Sequence, residues 1–331
     1  VLAVVVALSS VVSAGPAAVF LEGLQASCAE LRLQGARREA AAAAAAERFL
    51  AGGTLWVTGS IPRFDIEWLG RAGGLMAVRA LREESAVQPG DVVVYGSRDG
   101  AAAADAAWLR PLRERGAMVV VFAPQDAAAA MGTVADACLT AGMASTTPRR
   151  GEALAVMAMA DLWAFTGDLA AACSRAGRWP VFWQSVMVPG ARERNARFKG
   201  TTWHEGVAVP PQAPGALGER YLAGIAADLD GLRSQDDRLV AAGAVVRAAW
   251  SGGRTVFHAN LGHFEPVRLL DAEPPRALRV LTGKDLAADL RGAGQAGDAL
   301  LAVWYTEMPT ALLQAARERG LRSVCILGRN P

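Results

Sequence analysis

The sequence predicts an α/β fold built twice: two three-layer αβα units, each around a parallel sheet. Three observations predict it. Short apolar runs such as "DVVVYGS" (91–97) and "MVVVFAP" (118–124) flank a helical stretch, "AAAADAAWLRPLRERG". Such runs are too short for helices and rich in β-branched residues, so they read as strands buried on both faces. The same grammar returns later in the chain, where "GDALLAVWYTEMP" answers "GDVVVYGSRDG" and "ARERGLRSVCIL" answers "LRERGAMVVVFA". Finally, 331 residues with 52% hydrophobic and 20% charged side chains suffice for two ordinary domains with sizeable cores.

The first unit is expected over 17–176. It opens with a helix whose Leu21, Leu24, Cys28 and Leu31 recur at helical spacing, and Gly52-Gly53 ends the run. "TLWVTGS" follows as a buried strand, "GLMAVRAL" as a second, and the two clear strands with their intervening helix come next. Gly116 supplies a left-handed cap, Arg113 and Arg115 suit the helix dipole, and Pro111 is expected to kink the helix. "ACLTAG" closes the sheet. Strand–helix alternation implies parallel strands with right-handed crossovers. A strap over 177–215 then combines prolines, charges and tryptophans, which a plain linker does not need. The second unit, 216–331, repeats the order: a helical run ended by Ser251-Gly252-Gly253, then "RTVFHANLGH", "ALRVLTG" and the Gly-Asp strand. This is duplication of a whole domain, not a short-period solenoid.

Composition excludes several classes. A net charge of +2, with no Lys/Arg block interleaved with aromatics, gives no reason to invoke nucleic acid. Four scattered cysteines form no CxxC or Cys/His cluster, so no zinc site and no metal is expected, and they read as small buried hydrophobes. No G-x-x-x-x-G-K-[ST], G-x-S-x-G or strand-linked G-x-G-x-x-G occurs, so no nucleotide, hydrolase elbow or cofactor is expected. The opening residues, 1–16, read as a signal-peptide-like segment with Val12-Ser13-Ala14 as a small-residue cleavage site, or as a buried first helix or strand. The first reading implies export to the periplasm, the second a cytoplasmic protein. The segment is too short for a stable membrane span.

Taken together, the Gly-Gly helix end, the strand closing on Gly59-Ser60, the Gly-Asp strand with its Ser97 loop and the helix–Arg-Gly–strand sequel resemble the sugar isomerase (SIS) domain. The likeness covers roughly 17–139 and 216–328, and is stronger in the first copy. It implies a tandem arrangement, a flavodoxin-like SIS-type sheet in each unit, and a phosphorylated sugar or carbohydrate derivative as ligand. It also implies that hydroxyls and amides after the first and third strands hold the phosphate. Carried over, these loops fall on Thr58-Gly59-Ser60 and Tyr95-Gly96-Ser97-Arg98, and in the second copy on Ala259 to His263 and on Thr306. Tyr95 and Arg98 depart from the family's small residues. Ser60, Ser97, Arg98, Thr306 and His263 are therefore the candidate ligand-binding residues. Arg98 suits a phosphate, while Ser97 and Thr306 equally suit turn caps.

An aldose–ketose isomerase needs a proton carrier between adjacent carbons and an acid to open the ring. His204 and Glu205, after the basic run Arg192 to Lys199, are candidates, and Glu307 is another. Either the strap is a solvated connection, or it folds over a pocket and delivers these groups. Three readings stay open: a sugar-phosphate isomerase, a non-catalytic carbohydrate-derivative binding protein, and a regulatory or structural dimer. The default expectation for the assembly is a homodimer.

Overall fold

The computed structural model describes residues 16–261, 278–304 and 307–328. They form two compact units: residues 22–230, and the described residues from 231 onward together with residues 16–21.

The larger unit begins within α1 (Pro16–Leu33), from Glu22 on, and continues with α2 (Gly35–Leu50). The sequence suggests one helix here, but the chain turns at Gln34, whose side-chain amide bonds the carbonyl of Thr140 at 2.7 Å. β1 (Leu55–Gly59), α3 (Phe64–Trp68), the two-residue β2 (Arg79–Ala80) and β3 (Val92–Gly96) follow. The expected strand "GLMAVRAL" thus shrinks to β2. Most of it is instead tied to the strap, where the Met76 amide donates to Val181 and the Trp183 amide to Gly74, both at 2.8 Å. Next come α4 (Ala102–Glu114), which runs through Pro111, β4 (Met118–Pro124), the one-turn α5 (Ala128–Met131) and β5 (Ala137–Ala141). α6 (Arg150–Arg175) was not anticipated. It is apolar nearly all round because it is the unit's central helix, packed against α2, β4 and β5. By length and composition it is the one helix among the described residues that meets the requirement for crossing a membrane, and most of it is buried inside the fold. α7 (Ala191–Phe198), in the strap, and α8 (Ala216–Arg233) complete the series. The strap and α8 up to Asp230 belong to this unit, beyond the boundary at 216 drawn from sequence.

All five strands are parallel, in the order β2-β1-β3-β4-β5. α4 covers one face, where Leu109 and Leu112 pack with Val93, Val119 and Val121. α2 and α6 cover the other.

The second unit contains α9 (Asp236–Ser251), β6 (Val256–Leu261), β7 (Leu278–Val280), α10 (Leu286–Ala293), β8 (Ala299–Trp304), α11 (Thr310–Glu318) and β9 (Arg322–Leu327). Its sheet, β7-β6-β8-β9, repeats the first four positions of the other, again all parallel. α10 and α11 pack on one face and α9 on the other.

The shared Gly-Asp and Arg-Glu-Arg-Gly have a structural purpose. Asp91 accepts the amides of Thr54 and Gln88 and the indole N–H of Trp56, all within 2.9 Å. Asp298 accepts the amides of Thr255 and Gln295, at 2.9 and 2.8 Å. Each aspartate staples two neighbouring strands at their amino ends. Gly116 and Gly320 end α4 and α11 at φ of 89° and 71°, a region that favours glycine.

Candidate functional site

The carboxyl ends of β1 and β3 lie side by side, with Gly59 in register with Gly96. Both glycines are sterically required. A Cβ on Gly59 would stand 2.5 Å from the Gly96 carbonyl oxygen, and one on Gly96 would stand 2.5 Å from the Phe64 ring. This close approach puts Ser60 and Ser97 next to each other. The Ser60 amide donates to Gly96 at 2.8 Å and the Ser97 amide to Phe122 at 2.8 Å.

The loops hold a carboxylate of the chain itself. Ser60 Oγ donates to Asp105 Oδ2 at 2.6 Å, Ser97 Oγ to the same oxygen at 2.7 Å, and the Tyr95 hydroxyl to Oδ1 at 2.8 Å. Ser60 Oγ also accepts the Arg98 amide at 2.9 Å. Ser97 is fully buried and Asp105 nearly so. Burial first, then the hydrogen bond and charge of Asp105, raise the Tyr95 phenol well above its ordinary value, so it stays a donor. The rest of the Ser-Arg-Asp loop is tied as well. Arg150, at the start of α6, pairs with Asp99 at 2.6 Å and with Asp126, after β4, at 2.9 Å. The Arg98 side chain is exposed.

His204 and Glu205 lie in the strap. The His204 amide donates to the Trp179 carbonyl at 2.9 Å, its ring meets Phe198 edge-on at 4.8 Å, and its Nε2 lies 3.3 Å from Arg194 Nη2. Partial enclosure first, then the charges of Arg194 and Arg197, lower the His204 pKa, so the ring is neutral and accepts from Arg194. Glu205 is exposed. Glu307 is exposed and lies in the second unit, ahead of α11, whose N-cap is Pro309. Thr306 and His263 lie outside the described residues. The structure thus joins Ser60, Ser97 and the Arg98 backbone in one constellation, and places His204 and Glu205 in another.

Two members of the first constellation escaped sequence reasoning. Asp105 is the single polar residue of "AAAADAAW", in the first turn of a helix following the expected phosphate loop, and that isolation was a usable signal. Arg150 carried none, because its helix was not foreseen. Among the described residues no cluster of histidine, cysteine and carboxylate side chains suits a metal, and the four cysteines are unpaired.

No protein-family model and no curated protein matches the chain. Among solved structures, it is similar to a protein of Salmonella typhimurium LT2 described as sugar binding, with 12% identity over 94% of this chain and 89% of that one and a TM-score of 0.48. It is similar also to the C-terminal domain of glucosamine-fructose-6-phosphate aminotransferase from Francisella tularensis (10% identity, 91% and 84% covered, TM-score 0.41). A third is a protein of Silicibacter pomeroyi DSS-3 described as a phosphosugar isomerase (14% identity, 95% and 87% covered, TM-score 0.43). What these proteins bind or convert is a property of those proteins.

Proposed function

We propose that the protein binds a carbohydrate derivative, a sugar phosphate in the first instance, at the carboxyl rim of the first sheet. The observation that carries this reading is the convergence of three hydroxyls, from Ser60, Ser97 and Tyr95, on one carboxylate. Side-chain hydroxyls gathered at the carboxyl end of a parallel sheet make a cradle for an oxyanion. Its resident oxyanion is Asp105. A phosphate dianion and a carboxylate repel each other at this range, so a ligand binds in competition with Asp105. That residue stands in the first turn of α4, beside the exposed Ala103 and Ala104.

The resemblance to sugar isomerases extends the reading to aldose–ketose isomerisation, with His204, Glu205 or Glu307 carrying the proton. The observed contacts of His204, to Trp179, Arg194 and Phe198 within the strap, favour binding over turnover.

The test is calorimetry and thermal shift with glucose 6-phosphate, glucosamine 6-phosphate, ribose 5-phosphate and inorganic phosphate. Asp105→Ala should bind its preferred sugar phosphate about tenfold more tightly than the wild type, since removing a competing charge is worth about 1.4 kcal/mol or more. At one hundred times the dissociation constant, a ligand adds about 2.7 kcal/mol of stability. If neither the wild type nor Asp105→Ala is stabilised by any of these ligands, the reading is wrong. Exchange of the sugar's C2 hydrogen with deuterated solvent separates the finer reading. Exchange that disappears in Glu205→Gln or Glu307→Gln would establish turnover.

A further inference from the structure

Away from that rim, the larger unit holds a concavity of about 1030 Å³, built by α6, α8, the strap and the loop after α3. Its walls are aromatic: Trp163, Trp179, Phe182 and Tyr221. The strap contributes Trp179, Phe182, Val209 and Gln212 to it. Trp179 and Phe182 pack together with ring centroids 5.4 Å apart, the Trp179 carbonyl accepts the His204 amide at 2.9 Å, and the Phe182 carbonyl accepts Arg194 Nη1 at 2.6 Å. Opposite, Trp163 Nε1 donates to Glu67 at 3.1 Å, and Glu67 pairs with Arg71 at 2.7 Å. Trp163, Trp179 and Phe182 are therefore held in place before any ligand arrives, which lowers the ordering cost of binding.

Charge gives the cleft a direction. α8 contributes Arg220 and Asp228 to the lining, and Asp228 acts electrostatically on Tyr221. Eight residues of helix separate Arg220 from Asp228 by about 12 Å along the axis. The floor between is open: a Cβ on Gly224 would meet nothing within 4 Å. Trp179 and Phe182 are tilted by 45°, so they form no parallel pair to sandwich a flat base, while a puckered sugar ring lays its C–H face on either. A few polar groups on aromatic walls are the usual make-up of a small-molecule site.

We infer that this cleft is a second carbohydrate site, for an acidic disaccharide. One ring stacks on the Trp163 and Trp179 faces, its carboxylate meets Arg220, and hydroxyls at the far end donate to Asp228. The cleft and the rim share no lining residue, so this inference stands apart from sugar-phosphate binding at Asp105.

The experiment is isothermal titration of the full chain with digalacturonic acid, its neutral methyl ester and AMP, with tryptophan fluorescence as a second readout. Digalacturonate should bind and perturb the fluorescence. Arg220→Gln should weaken it about tenfold, the value of one charge-assisted pair, and leave the ester unchanged. Gly224→Leu, which fills the cleft on an exposed helix face and favours the helix, should abolish both. Absence of digalacturonate binding, binding indifferent to Gly224→Leu or Arg220→Gln, or tighter binding of AMP would each overturn the inference. Loss of sugar-phosphate binding with digalacturonate binding intact would sink the rim reading alone.

Discussion

The Arg38 guanidinium is fully buried between two carboxylates, with Nη1 3.2 Å from Asp161 and Nε 3.1 Å from Asp168. Nη1 also donates to the Leu31 carbonyl at 3.0 Å, and Asp168 accepts the Gly218 amide at 2.9 Å. One residue thereby joins α1, α2 and α6. Removing it would strand two buried anions, so Arg38→Ala should cost about 3–5 kcal/mol in urea unfolding. Burial, only partly offset by Arg38, pushes the Asp161 carboxyl up to about 6 from an ordinary 3.8. A raised carboxyl favours the protonated native state. Its contribution is complete below about 3.8 and is lost as pH rises through about 6. Asp161→Asn should flatten that part of the stability profile between pH 4 and 7, and an unchanged profile would exclude Asp161 as its source. None of these three was singled out from sequence, because a lone Arg or Asp in a helical run reads as a solvated face until its neighbours across the fold are known. Gly59 and Ser60 were legible, because a glycine–hydroxyl pair at a strand end has a local reason to be there.

The strap shows what a segment's composition conveys and what it withholds. Its tryptophans and prolines announced something other than a linker, but not that it would dock along residues 73–76 by strand-like pairing of Trp183 with Gly73 and Gly74. Those bonds are backbone bonds, which composition does not encode. The basic run proved largely architectural. Arg194 clamps the Phe182 carbonyl, and Arg194 and Arg197 stack on Phe198; elsewhere in the strap, Arg178 lies 4.5 Å over Trp203. The His204 pKa is held below its ordinary 6.5. The neutral ring's contribution is complete above 6.5 and is lost as pH falls through the lowered value, where protonation opposes Arg194. An NMR titration should place His204 below 6.5 in the wild type and move it upward in Arg194→Gln. A titration point above the ordinary value would rule out this arrangement.

Two sheets with the same strand order, each stapled by its own Gly-Asp, predict two separable cores. Asp91 accepts from three partly buried N–H donors, so Asp91→Ala should destabilise the larger unit by about 1–3 kcal/mol, since water relieves part of the cost of each unpaired donor. Asp298→Ala should do the same to the second unit through two donors. Differential scanning calorimetry of both variants should move different parts of the melting profile, and identical shifts would mean a single cooperative core. The sequence by itself determined the α/β class, the repeated strand–helix grammar and the glycines at strand ends and helix caps. Each of these is set within a few residues, by periodicity or by a backbone angle. Tertiary structure alone decided that the Ser60 and Ser97 hydroxyls close on Asp105, that Arg150 neutralises Asp99, and that the strap's aromatics wall a cleft. Those pairings join groups 8 to 51 residues apart, and only the folded geometry shows which of several equally polar neighbours each one meets.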